Sequence, residues 1–129
     1  MTTALLDTSV LIASDPQSRL GLPESAAISV VSLGELHAGV ELARDDETRQ
    51  LRARRLERVR AVFVPLDVDQ QVARCYGEVL AAARRAGRTE KATDLLILAT
   101  ARVTQRVLVT LDDRQARLAQ AVGHPVLRA

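Results

Sequence analysis

Apolar residues along the chain gather in short runs separated by longer amphipathic stretches, and most of the switches coincide with a turn or capping residue. Residues 4–6 form a brief apolar run that ends at Asp7, and Thr8–Ala13 reads as the opening turns of a helix. Residues 14–25 carry Asp15-Pro16 and Leu22-Pro23 around Gly21, which predicts a loop. The next apolar run, residues 26–31, has the composition of a buried strand. Ser32 then stands three residues before Glu35, the spacing of a capping box for a helix over 33–43.

Residues 45–61 are dominated by arginine, with only Leu51, Leu56 and Val59 to anchor a helix. Residues 62–66 read as a short strand near a sheet edge, because Pro65 lacks a ladder donor. Over 69–86, Val72, Tyr76, Val79, Leu80 and Ala83 recur on one helical face, and Gly87 is the natural stop. Thr93 or Asp94 can cap a helix over 95–103 that is apolar nearly all round, so it should be deeply buried. Residues 107–111 form a β-branched strand ending at Asp112 and Asp113. A last helix over 114–122 stops at Gly123, and 125–127 can add an edge strand. This alternation predicts one α/β domain over 1–129, with a mainly parallel sheet of four to five strands flanked by helices.

A chain of 129 residues has room for one core of ordinary size. Aromatic residues are only 2%, so the core must be aliphatic, with Phe63 and Tyr76 inside it. The single cysteine, Cys75, excludes an internal disulfide and a multi-cysteine zinc site, and buried packing is its expected role. The beginning of the chain shows neither a basic leader nor a long apolar run, so the expected location is cytoplasmic, away from membranes. A net charge of +2 is too weak a field to imply a partner.

Chemistry in a parallel sheet gathers at the carboxyl ends of strands and the amino ends of the helices that follow. Asp7, Glu35, Asp94 and Asp112 all fall at such places. Two carboxylates about 6 Å apart repel by roughly 3 kcal/mol at an effective dielectric near 20, so four converging acids call for a cation. Mg²⁺ suits oxygen donors, and hydrolysis of a phosphodiester is a reaction it supports. Acids at helix starts also cap free N–H groups and complement the helix dipole, so position alone leaves a structural role open for each.

Four segments carry a resemblance. Leu5-Leu6-Asp7-Thr8-Ser9-Val10-Leu11-Ile12, Val30-Val31-Ser32-Leu33-Gly34-Glu35-Leu36 with Gly39, Thr93-Asp94-Leu95-Leu96-Ile97-Leu98-Ala99-Thr100-Ala101, and Leu108-Val109-Thr110-Leu111-Asp112 resemble, in order, the motifs of PIN-domain ribonucleases of the VapC toxin type. The resemblance spans the chain. It implies that Asp7, Glu35, Asp94 and Asp112 are the acidic metal-binding quartet. It also implies that Thr8 and Ser9 are hydroxyls beside the first acid, and that Thr110 helps hold the loop of the last. By the same resemblance the activity is a Mg²⁺-dependent endoribonuclease, with Mn²⁺ able to substitute. The substrate is structured RNA such as tRNA or ribosomal RNA, the toxin dimerises, and a cognate VapB-type antitoxin holds it inactive. Asp113, Arg114, Gln115 and Ala116 follow the last acid where the family commonly has an aromatic, which leaves Asp112 and Asp113 as alternatives for the last ligand. Leu98 replaces a small residue usual in the third motif, a packing change.

Between Arg44 and Arg60, seven arginines stand against four acids, and Arg52 and Arg55 are candidates to grip phosphates. Arg84, Arg85 and Arg88 form a second candidate cluster before Asp94. Glu41, Glu90, His37 and His124 are expected to be structural or solvent-exposed. Two other readings remain: a phosphatase or phosphoacceptor with Asp7 as nucleophile, and a catalytically inactive interaction module of the same fold. The first lacks a second aspartate two residues on, where Ser9 stands, and has only Lys91 as a lysine.

Overall fold

The computed structural model describes residues 3–13 and 25–129. Its elements run β1 (Thr3–Leu6), α1 (Thr8–Ala13), β2 (Ser25–Ser29), α2 (Val30–Glu41), α3 (Asp46–Val62), β3 (Pro65–Leu66), α4 (Gln70–Arg85), α5 (Ala92–Val103), β4 (Val107–Thr110), α6 (Asp113–Ala121) and β5 (Val126–Arg128). The five strands form one sheet in the order β3-β2-β1-β4-β5, and every pairing is parallel. Of the expected loop over 14–25, residues 14–24 lie outside the described residues, and Ser25 already opens β2.

The sheet is covered on both faces, which is why its central strands read as unbroken apolar runs rather than as alternation. Side chains of successive strand residues point to opposite faces. Leu5, Ala27 and Leu108 accordingly join a core with Val79, Leu95, Leu98 and Leu118 of α4, α5 and α6. Ala4, Leu6, Ile28 and Val109 join a second core with Val10, Leu36, Leu56 and Val59 of α1, α2 and α3. Phe63 is buried in this second layer, Tyr76 is partly buried against the first, and Cys75 is buried there.

From β1 the chain builds outward through β2 and β3, then returns to place β4 and β5 on the other side. The strand order therefore reverses between β1 and β4, the position where an open parallel sheet leaves a crevice at its carboxyl edge. Asp7 leaves β1 and Asp112 follows β4, so they flank that crevice.

Several expected boundaries move. The second strand ends at Ser29, whose side chain caps α2 by accepting the Val31 N–H at 3.0 Å. Ser32 is therefore a buried residue of the first turn and not the cap, and Glu35 closes no capping box. A cap must stay extended, and the chain here turns helical at Val30, three residues earlier than the serine-to-glutamate spacing suggested. α5 begins at Ala92 after Lys91, with no side-chain cap, which puts Thr93 and Asp94 inside the first turn. Strand β3 shrinks to two residues, because α3 runs on to Val62 and Val64 is 79% exposed. Asp69 and Asp112 cap α4 and α6. At the end of α4, Gly87 adopts φ +74°, its N–H bonds Arg84 O, and the Arg88 N–H bonds Ala83 O. This left-handed closure turns the chain sharply toward α5.

Candidate active site

Asp7 is the fixed point of the site. Its backbone N–H bonds Val109 O at 2.8 Å, continuing the β1–β4 ladder, and its side chain is only 4% exposed. Oδ2 accepts the Ser9 hydroxyl at 2.6 Å and the Thr110 hydroxyl at 2.9 Å. Each hydroxyl then accepts a backbone N–H from the turn after β4, Ser9 from Leu111 at 3.0 Å and Thr110 from Asp112 at 3.0 Å. A buried carboxylate needs such donors. Here the same two hydroxyls also fix the path of the chain into Asp112.

Glu35 lies on the second turn of α2, facing α1. Its Oε1 accepts the Thr8 hydroxyl at 2.6 Å, and that hydroxyl shares a 2.8 Å hydrogen bond with buried Ser32. Thus Thr8 and Ser9 diverge, one toward Glu35 and the other toward Asp7. Asp112 is exposed and caps α6 through Oδ1, which accepts the Arg114 N–H at 2.8 Å.

Asp94 reports the convergence of the four. Its carboxyl is pushed up to about 6, first by burial, then by the negative charges of Asp7 and Glu35, with Asp112 adding a smaller push and Lys91 opposing them. Asp113 takes no part in that repulsion. Its carboxylate is bound to Arg128 of β5 at 2.7 Å, and this hydrogen bond and the Arg128 charge hold its pKa below the usual range. Of the two alternatives for the last acid, Asp112 faces the cluster electrostatically and Asp113 is occupied elsewhere.

All four acids offer hard oxygen donors, which fits Mg²⁺ or Mn²⁺. Among the described residues, no three acid, histidine or cysteine side chains are close enough together to form a ready-made cage. That matches the habit of Mg²⁺, which binds through one or two carboxylates and retains water. Around Asp94, burial and the charges of Asp7, Glu35 and Asp112 outweigh the opposing charge of Lys91.

The arginines divide. Arg52 and Arg55 line a pocket of about 260 Å³ together with Glu35, Ile12, Leu36 and Gly39, so α3 brings both beside an acid of the site. Arg52 Nη1 also donates to Gly39 O at 2.7 Å. Arg84 is exposed at the end of α4, and Arg85 lines a separate groove along α4 with Arg74, Glu78 and Arg102. Arg88 pairs through Nε and Nη2 with Glu90, whose side chain is only 2% exposed. The expected solvent exposure of Glu90 is thereby corrected: it is buried because two arginines neutralise it, Arg88 at 3.0 Å and Arg114 at 3.0 Å. Gln115, also missed from sequence, is buried in α6 and donates through Nε2 to Asp94 O at 3.0 Å. No local pattern announces the Arg114 and Gln115 contacts, since they join segments more than twenty residues apart. His37 is exposed, and His124 Nε2 lies 2.8 Å from Arg106 O, far in sequence from the acids.

The PIN domain family profile matches residues 4–121. The chain belongs to the PIN-domain family. Within it, the chain is 34% identical over 127 residues to ribonuclease VapC5 of Mycobacterium tuberculosis, covering 96% of this chain and 93% of that protein. It is 40% identical over 102 residues to ribonuclease VapC8 of the same species, covering 77% and 90%. Its fold matches a crystal structure of VapBC-5 from M. tuberculosis, a member of the VapBC family of toxin-antitoxin systems, with a TM-score of 0.87 and 32% identity over the full length of both chains. The FitAcB structure from Neisseria gonorrhoeae gives 0.76 at 26% identity, covering 96% of each chain.

Proposed function

We propose that this protein is a metal-dependent endoribonuclease of the VapC type, the toxin of a type II toxin-antitoxin pair. Its substrate is structured RNA such as tRNA or ribosomal RNA. The observation that carries the reading is the placing of Asp7, Glu35 and Asp112 within electrostatic reach of Asp94, whose pKa is raised first by burial and then by their charges. The similarity to VapC5 and VapC8 supports the same activity.

Asp7, Asp94, Asp112 and Glu35 would hold the metal, Mg²⁺ or Mn²⁺. When bound, it supplies an activated water for attack on phosphorus and neutralises charge on the phosphodiester. The chain's own residues set the geometry. Ser9 and Thr110 aim Asp7 and tie it to the Asp112 turn, Thr8 aims Glu35, and Gln115 holds the backbone at Asp94. Arg52 and Arg55, on the Glu35 side, supply positive charge for the RNA backbone.

Kinship with the VapBC structure supports a VapB-type antitoxin as partner, and a homodimer as the working form belongs to the same reading. Among the described residues no helix is long and apolar enough to cross a membrane, and a cytoplasmic site of action belongs to the same reading. The test incubates purified protein with total RNA in Mg²⁺, in EDTA, and as the Asp7→Asn variant. Cleavage is expected only for the unmodified chain in Mg²⁺. Cleavage that persists in EDTA or in the variant overturns the proposal.

A further inference from the structure

A second pocket, of about 270 Å³, opens between the α4–α5 connection and α6, lined by Gly87, Arg88, Thr89, Glu90, Arg114 and Arg117. Three arginines and a single carboxylate line it, and two of the arginines bind that carboxylate. Glu90 Oε1 accepts Arg88 Nε at 3.1 Å, with Arg88 Nη2 3.0 Å away, and Oε2 accepts Arg114 Nε at 3.0 Å. Arg114 Nη2 also donates to Thr89 O, and Arg88 Nη2 to Arg114 O at 3.4 Å. These bonds use Nε and Nη2 of each guanidinium, and among the described residues Nη1 of each has no hydrogen-bond partner. Arg117, one turn further along α6, is exposed and makes no hydrogen bond or ion pair among the described residues. Its nearby acid, Asp113, is already bound to Arg128.

Two features make this more than a solvated patch. The buried Glu90 holds Arg88 and Arg114 in place before any ligand arrives, so less side-chain entropy is lost when they grip one. The pocket is also tied to two of the acids through its neighbours in the chain. Glu90 lies four residues before Asp94, Arg114 lies two after Asp112, and Gln115 bonds the Asp94 carbonyl. A polyanion approaching four carboxylates is repelled by them, so it needs a cationic hold close by. Planar guanidinium forks match phosphate oxygens in pairs and carry no base specificity.

We propose that the Arg88–Arg114–Arg117 pocket is a phosphate-holding subsite for the RNA backbone, placed on the α5–α6 side of the acid cluster and preset by Glu90. It rests on the ribonuclease reading above. Together with Arg52 and Arg55 on the Glu35 side, it would hold the strand on both flanks of the cleavage point.

The test measures binding of bulk tRNA to the full chain carrying Asp7→Asn, in EDTA, over a range of salt concentrations, with and without Arg117→Ala or Arg117→Glu. Arg117 is exposed and unpaired, so neither change threatens the fold. Arg117→Ala should weaken binding several-fold and reduce the slope of log affinity against log salt by about 0.7 to 0.9, the loss of one phosphate contact. Arg117→Glu should weaken it further. In the chain that retains Asp7, Arg117→Ala should raise KM for RNA and leave kcat unchanged. An unaltered affinity and slope overturns the subsite alone. Loss of antitoxin binding with RNA binding intact overturns it in favour of a protein contact. Failure of the Asp7→Asn chain itself to bind RNA overturns both the subsite and the ribonuclease reading.

Discussion

Thr110 donates its hydroxyl to Asp7 Oδ2 at 2.9 Å across 103 residues of chain, and the Thr110 Oγ1 itself accepts the Asp112 N–H at 3.0 Å. One β4 side chain thus sets two acids of the site at once. Thr110→Val keeps the shape and removes both bonds. It leaves a buried carboxylate and a turn N–H short of a partner, at a cost of about 1–3 kcal/mol in denaturant unfolding. Cleavage should fall roughly ten- to a hundredfold, because the Asp112 turn loses its register. Thr110→Ser should restore most of both. Equal stability of the Val variant and the parent would contradict this account.

The raised pKa of Asp94 gives a stability prediction with a definite sign. Its folded value, about 6, lies above the ordinary aspartate value of 3.8, so between these values the folded state binds more protons than the unfolded one. Metal-free protein should therefore lose stability as pH rises through 4 to 6 and carry the full penalty above that window. Asp94→Asn removes the penalty. After allowance for the screening of a half-buried group and for the favourable position of an acid in the first turn of α5, the variant should be more stable by about 1 kcal/mol at pH 7.5 in EDTA. The difference should vanish below pH 4. Melting curves at the two pH values check both the sign and the window.

Divalent metal should invert that ranking. At a Mg²⁺ concentration near 100 times its Kd, a single site adds about 2.7 kcal/mol to the folded state. The parent chain should gain this stabilisation and Asp94→Asn should lose most of it. Asp113→Asn should respond to Mg²⁺ like the parent, because Asp113 is turned to Arg128. A metal response lost in Asp113→Asn and kept in Asp112→Asn would reverse the choice between these neighbours.

Glu35 and Thr8 form a dependent pair. Thr8→Val deprives Glu35 of a 2.6 Å donor and breaks the hydrogen bond with Ser32. It should cost about 1–2 kcal/mol in stability. Cleavage should fall less than in Glu35→Gln, since the carboxylate remains. Double-mutant analysis of kcat should show the two substitutions to be non-additive, as groups acting through one another are. Full additivity would separate Thr8 from the site.

The acids of the site were legible in the sequence because each marks a change of backbone. Asp7 ends the apolar run of β1, Asp112 follows that of β4, and Asp94 opens a helix apolar nearly all round. Periodicity carries such information locally. The start of α2 was not legible, because Ser29 and Ser32 both have a capping side chain, and only the burial of Ser32 against Thr8 decides between them. The short β3 was overextended for a related reason. The apolar Val62 and Phe63 look like strand, yet they close α3 and pack into the layer beneath it.

By itself, then, the sequence determined the order of strands and helices and the aliphatic character of the core. Both follow from the apolar residues, their period and where each run stops. Tertiary structure alone decided which polar groups meet. Asp113 is withdrawn by Arg128, Glu90 is buried between Arg88 and Arg114, and Gln115 reaches the Asp94 carbonyl. A charged side chain on a helix or turn has the same local signal whether it meets water or an opposite charge. Packing of segments distant in sequence makes that choice, and it sets the pKa of Asp94 as well.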